Sequence, residues 1–222
     1  MHTCAFVCII ENNRYLSRDF NTTHISHGKE LKVLTFTSID DYNYKLRITN
    51  SELVELLLRK KMIIIVMGVS GSGKTTIGKL LADSLEWEFS DADTFHSPEN
   101  VEKMRCGIPL SEDDRIPWLQ DLQTAIKHWL QENKNVVLAC SALKNSYRQF
   151  LVVDSERTKL VYLKGSYELI QMRLQERSNH YMSEKLLDSQ FYTLEEPVDT
   201  LCMDVAQPPQ IIVQNIRTAL EI

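Results

Sequence analysis

Met62-Ile63-Ile64-Ile65-Val66-Met67-Gly68-Val69-Ser70-Gly71-Ser72-Gly73-Lys74-Thr75-Thr76 is the stretch that decides how this chain folds. Its first six residues are apolar and mostly β-branched, the pattern of a strand buried on both faces. A glycine-rich turn follows. From Lys74 to Leu85 the period becomes helical, with Ile77, Leu80, Leu81 and Leu85 on one face. Gly68 and Gly73-Lys74-Thr75 fit the G-x-x-x-x-G-K-[ST] pattern of a phosphate-binding loop. In such a loop the backbone N–H groups of Gly68, Val69, Ser70, Gly71, Ser72, Gly73 and the residues through Thr76 can turn toward phosphate oxygens, aided by the positive end of the helix. Lys74 is then placed to reach the β/γ-phosphates and Thr75 to ligate Mg²⁺. A bound nucleoside triphosphate is the expectation.

Working outward, strand and helix alternate from Met62 onward, as a parallel sheet covered by helices requires. The expected strands after the first are Trp87–Ser90, Asn135–Cys140, Lys159–Leu163 and Thr200–Val205. The expected helices are Ile116–Gln131, Tyr167–Gln175 and one opening at Pro208-Pro209 and reaching Leu220. Ligands of such sheets lie beyond the carboxyl ends of the strands, which singles out Asp91 and Asp93. Residues two apart in extended chain share a side, so both carboxylates can face the loop. Asp91 would hold Mg²⁺ through water, and Asp93 would orient an acceptor hydroxyl and take its proton late. The bland alternative is a pair of turn or cap aspartates before Thr94.

The chain has 222 residues, with 43% hydrophobic and 25% charged, ordinary for a soluble globular protein. A net charge of −5 argues against a nucleic-acid surface. Five scattered cysteines without C-x-x-C spacing point to reduced thiols in the cytoplasm, not to a disulfide frame or zinc site. No apolar run approaches the ~20 residues that cross a bilayer. Residues 1–61 carry no recognisable chemistry. Leu31–Thr37 alternates like a strand and Ser51–Lys61 reads as a short helix. An accessory element, a loosely ordered extension and a start codon placed upstream of a natural start at Met62 are all compatible with that segment.

The motifs continue in order: Asp91-Ala92-Asp93-Thr94-Phe95-His96, Asn100 to Met104, and Gly107-Ile108-Pro109-Leu110. Then come Asp113-Asp114-Arg115 with Pro117-Trp118, and Cys140 to Lys144 with Tyr147-Arg148. Tyr162 to Gly165, Arg173-Leu174 with Arg177 and His180, Gln190-Phe191 and Leu194 to Pro197 close the series. Together with the phosphate loop, these blocks resemble the gluconokinase family, small P-loop sugar-acid kinases related in fold to shikimate and adenylate kinases. The resemblance runs from about Ile63 to Ile222. It implies an α/β P-loop fold with a five-stranded parallel sheet and a mobile lid, and often a homodimer. It also implies ATP-dependent phosphorylation of D-gluconate at its 6-hydroxyl. Ala92 stands where the family commonly has glycine.

A polyhydroxylated carboxylate needs hydrogen-bonding groups and a cation, and His96, Arg115, Lys144 and Arg148 are candidates. The bland alternatives are an Arg115 that only pairs with Asp113 or Asp114, and a structural His96. Arg173 and Arg177 are four apart, hence on one helical face. In the expected lid they would neutralise charge on the transferred group, with His180 closing it. Two helical arginines elsewhere are more often a solvated face. A GTPase or ATP-driven machine would want an acidic residue ending the strand that here runs into Ser141, and no N-K-x-D motif follows. A non-catalytic nucleotide-binding module is disfavoured by the intact Lys74, Thr75, Asp91 and Asp93. Among kinases the runner-up acceptor is another small hydroxy-acid such as shikimate.

Overall fold

A computed structural model of the chain describes residues 8–11, 14–17, 34–40, 43–48, 61–176 and 184–222. Its contacts divide it into two units, Met1–Arg59 and Lys60–Ile222. The first contains two antiparallel pairs. Strand β1 (Cys8–Glu11) pairs with β2 (Arg14–Ser17), and β3 (Leu34–Asp40) pairs with β4 (Asn43–Ile48). The expected strand at 31–37 therefore appears three residues later, as one arm of a hairpin. The expected helix at 51–61 falls, but for Lys61, outside the described residues.

The second unit is built on β5 (Ile63–Met67), every residue of which has no accessible surface. The sheet order is β6-β7-β5-β8-β9, all parallel, with β6 spanning Glu88–Asp91, β7 Val136–Ala139, β8 Thr158–Lys164 and β9 Leu201–Asp204. Because side chains alternate along a strand, β5 feeds two cores. Ile64 and Val66 pack with residues of α1 (Lys74–Leu85), α5 (Tyr167–Gln175) and α7 (Pro209–Leu220). Ile63, Ile65 and Met67 pack with α3 (Glu112–Gln131) and α4 (Asn145–Leu151). This is the three-layer arrangement that the alternating pattern requires.

Helices α1 and α5 have the bounds their periodicity predicts. Helix α3 begins four residues before the expected Ile116, because Ser111 and Asp114 close a capping box. Asp114 N–H donates to Ser111 Oγ at 3.2 Å, and Ser111 N–H donates to Asp114 Oδ2 at 2.9 Å. Asn100 to Met104 lie in a helix, α2 (Pro98–Arg105), started by Pro98 and capped by the Ser97 hydroxyl. Helix α4 and a further helix, α6 (Glu184–Thr193), have no counterpart in the sequence reading.

Candidate active site

The phosphate loop leaves β5 at Gly68 and enters α1 at Gly73. Gly73 caps the helix with φ 96°, a left-handed conformation that glycine adopts without penalty. A Cβ on Gly68 would lie 2.8 Å from the Leu163 carbonyl and from Ser72 Oγ, so the loop can sit this close to β8 only with glycine there. Lys74 Nζ donates to the Val69 carbonyl at 3.1 Å, lying back across the loop.

Asp91, the last residue of β6, does two things. Its Oδ2 accepts from the Thr75 hydroxyl at 2.9 Å, and its Oδ1 accepts from Asp93 N–H at 3.1 Å. The second bond caps a 3₁₀ turn, Ala92–Phe95, as the reading of Asp91 as a cap aspartate expects. That turn also alters the expected geometry: Asp93 is not two residues along an extended strand but one residue into the turn. Thr75 and Asp91 offer a hydroxyl and a carboxylate side by side. These hard oxygen donors suit Mg²⁺, which takes one or two carboxylates and completes its octahedron with water and substrate phosphates. Among the described residues no cluster of three or more His, Cys, Asp or Glu could hold a metal ion.

Two cavities adjoin the loop. The larger, about 580 Å³, is lined by Ser70, Lys74 and Asp93 together with His96, Arg115, Trp118, Ser141, Tyr147 and residues of α2 and α6. The second, about 390 Å³, is lined by Gly71, Ser72, Gly73, Thr76, Arg173, Gln207 and neighbours. The loop thus presents Ser70 and Lys74 to one space and its glycine turn to the other.

In the larger cavity His96 stacks on Trp118, with centroids 4.6 Å apart and planes 9° from parallel. Trp118 is fixed by its indole N–H, which donates to the Ala92 carbonyl at 2.8 Å. Burial pushes the His96 pKa below its ordinary 6.5; Asp93 opposes that shift and Arg115 adds to it. The neutral imidazole is thereby favoured, and among the described residues its buried Nδ1 has no hydrogen-bond partner. Cys140, just after β7, is buried, and that burial pushes its thiol up to about 12.

Arg115 does pair with an acid, but not with Asp113 or Asp114: Nη1 donates to Glu112 Oε1 at 3.2 Å. Asp114 is taken by the capping box and by Lys103 at 2.7 Å. Glu112 gathers further donors, Lys144 Nζ at 2.7 Å and the Tyr147 hydroxyl at 2.7 and 2.8 Å. The Lys144 ammonium, then the Tyr147 hydroxyl, hold its carboxyl below the usual range.

Two expected ligands are corrected. Arg148 is 4% exposed and absent from the larger cavity; Nη1 donates to the carbonyls of Ala142 and Leu143 at 3.1 and 2.9 Å. It pins a turn in which Ala142 has φ 43°, so its work is structural. Lys144 does not line the cavity either; its Nζ bonds Glu112 at 2.7 Å and lies 5.7 Å from the centre of the Tyr147 ring, which does line it. Arg173 lies against the second cavity, its Nη2 donating to the Val205 carbonyl at 2.7 Å. The helix carrying it ends at Gln175, and Arg177 and His180 lie outside the described residues. Sequence reasoning passed over Trp118, Tyr147 and Gln190 as site residues. All three stand in the quoted family blocks, which was the signal available.

A phosphate loop opening a parallel sheet of order 2-3-1-4-5, with a hydroxyl–carboxylate pair beside it and a separate cavity that Asp93, His96 and Arg115 help to line, defines a small-molecule P-loop kinase. The family model described as shikimate kinase matches residues 70–221. A protein named probable gluconokinase from Dictyostelium discoideum is 45% identical over 171 residues, covering 74% of this chain and 86% of that one. Among solved structures, a gluconokinase from Sinorhizobium meliloti superposes with TM-score 0.66 at 41% identity, covering 73% of this chain and 93% of that one. A sugar kinase from a Janibacter species gives TM-score 0.69 at 40% identity, covering 73% and 95%. Within the shikimate-kinase-like P-loop kinases, the chain belongs to the gluconokinase family.

Proposed function

We propose that this protein transfers the γ-phosphoryl group of ATP to the 6-hydroxyl of D-gluconate, giving 6-phospho-D-gluconate and ADP. The observation that carries the reading is one cavity in which Lys74 and Asp93, at the phosphate loop, share walls with Arg115, His96 and Tyr147. Those last three suit a flexible chain of hydroxyls ending in a carboxylate. Arg115 supplies a planar cation that can grip a carboxylate with two parallel hydrogen bonds. The neutral His96 ring can accept from or donate to a sugar hydroxyl, and the Tyr147 hydroxyl borders the same space.

In a loose phosphoryl-transfer transition state, positioning and charge stabilisation do most of the work. Lys74, turned from the Val69 carbonyl, neutralises charge on the β/γ-phosphates. Asp93 orients the acceptor hydroxyl and accepts its proton late. Thr75 and Asp91 would hold Mg²⁺, which would supply positive charge to neutralise the phosphates. The backbone from Gly68 to Thr76 cradles the phosphates. Arg173 borders the nucleotide side, and Arg177 is assigned by resemblance to the transferred group.

We also assign the protein to the cytoplasm, as a homodimer without nucleic-acid or membrane partners. The scattered cysteines and net charge of −5 support that reading, and no described helix is long and apolar enough to cross a membrane. Residues 1–61 are assigned no part in the chemistry. The deciding experiment measures ADP release with gluconate, other aldonates, shikimate and AMP as acceptors. Gluconate should give the highest kcat/KM. ADP release with shikimate or AMP and not gluconate overturns the reading, as does nucleotide binding without acceptor-dependent release.

A further inference from the structure

Gln190, on α6, clasps the phosphate loop at two points. Its Oε1 accepts from Ser70 N–H at 2.6 Å, and its Nε2 donates to Ser70 Oγ at 3.1 Å. The clasp bridges residues 120 apart in sequence. Its position on α6 is fixed by packing: Leu187 is 1% exposed, Tyr167 donates to Asp188 at 2.6 Å, and Tyr167 meets Phe191 edge-on at 5.2 Å.

Backbone N–H groups of a phosphate loop serve as anion donors. Ser70 lies on the side of the loop that faces Lys74 and Asp93, whereas Gly71, Ser72 and Gly73 face the second cavity. If the nucleotide occupies the second cavity and the acceptor the first, the phosphoryl group in transit passes Ser70. The Gln190 carboxamide oxygen sits on that N–H as a neutral stand-in for a phosphate oxygen.

We propose that Gln190 is a positioning residue that distinguishes triphosphate from diphosphate. Its oxygen occupies Ser70 N–H until a γ-phosphate oxygen displaces it, and ADP leaves the clasp closed. The exchange rests on the kinase reading above for the placement of the nucleotide. It also ties the arrival of ATP to the acceptor side, because Leu186, Ser189 and Thr193 of the same helix line the acceptor cavity.

The test is titration calorimetry of the full-length protein with a non-hydrolysable ATP analogue and with ADP, both with Mg²⁺ and without gluconate. Gln190→Met removes the competing acceptor at similar length. It should tighten the triphosphate about three- to tenfold, the worth of one net hydrogen bond, and leave ADP unchanged. Gln190→Glu places a carboxylate where the γ-phosphate must come. It should weaken the triphosphate by about tenfold or more, again sparing ADP. A merely structural role would move both nucleotides together, and that result overturns the inference. Selective weakening of the triphosphate by Gln190→Met overturns it too, because Gln190 would then be a donor to the phosphate. The two readings fail separately. Gluconate-dependent ADP release by wild type with no selective shift in the variants removes this inference alone, whereas selective shifts without that release remove only the gluconate assignment.

Discussion

Asp91 carries two loads, and two substitutions separate them. Asp91→Asn keeps an oxygen able to accept from Asp93 N–H, so the 3₁₀ turn retains its cap. It removes the negative charge beside Thr75. Asp91→Ala removes both. Losing the cap costs about 0.5–2 kcal/mol, and losing the exposed bond from Thr75 costs about 0.5–1.5 kcal/mol. At ~2–4 °C per kcal/mol for a domain of this size, Asp91→Ala should lower Tm by about 3–10 °C and Asp91→Asn by much less. Activity should follow the other load. Both variants should lose about 10²–10³ in kcat, the typical cost of one group placed against transition-state charge, and both should need more Mg²⁺ for half-maximal rate. Thermal melts and Mg²⁺ titrations of the gluconate-dependent rate are the measurements. An Asp91→Asn protein with wild-type kcat and Mg²⁺ dependence would show that Asp91 is a turn cap and nothing more.

Arg115→Lys should raise KM for gluconate and leave ATP affinity unchanged, because lysine keeps the charge and loses the two-pronged geometry; steady-state kinetics with each substrate varied checks it. Arg148→Met should cost about 2–4 kcal/mol in chemical denaturation by stranding the Ala142 and Leu143 carbonyls, while KM of the folded fraction stays near wild type. His96 has a folded pKa below its unfolded 6.5. Its unfolded form therefore binds the proton first, and the stability present above pH 6.5 is lost as pH falls through the folded value. The pH dependence of Tm should flatten in that window for His96→Asn relative to wild type. A chain of residues 60–222 should fold and phosphorylate gluconate, since it retains every proposed site residue and the Arg157 bond to the Lys61 carbonyl at 2.9 Å. Aggregation of that chain, or melting far below full length, would make residues 1–59 part of the folded unit.

The parts of the fold written in local pattern were legible. The run Ile63–Met67, the phosphate loop and helix 74–85 follow from residue type and period alone, because burial on both faces and glycine-rich turning each leave an unambiguous signature. Helix α3 was read short because only Ile116 to Gln131 carries the amphipathic stripe, while Ser111 and Asp114 carry the start in a capping box. Helix α6 escaped because Ser189 and Gln190 face a cavity and the loop and Asp188 accepts from Tyr167, interrupting the apolar stripe. Arg148 was misread for a different reason. Whether a guanidinium points into a cavity or at its own backbone depends on the left-handed turn at Ala142, which no spacing announces. Asp91 and Asp93 were found through the strand-end rule, although the turn between them was not.

The alternation of β5 has a consequence for how such an enzyme can change. Its even-numbered residues pack with α1, α5 and α7, the side proposed for the nucleotide; its odd-numbered residues pack with α3 and α4, which carry much of the wall proposed for the acceptor. Trp118 and Tyr147 belong to the second set, Ile77 and Ile212 to the first. Substitutions that reshape the acceptor wall are thus absorbed largely by packing on one face of a single strand, with the phosphate donor's seat resting on the other. A lineage can trade one hydroxy-acid for another without renegotiating its hold on the nucleotide, and a laboratory library confined to the α3–α4 wall inherits the same freedom.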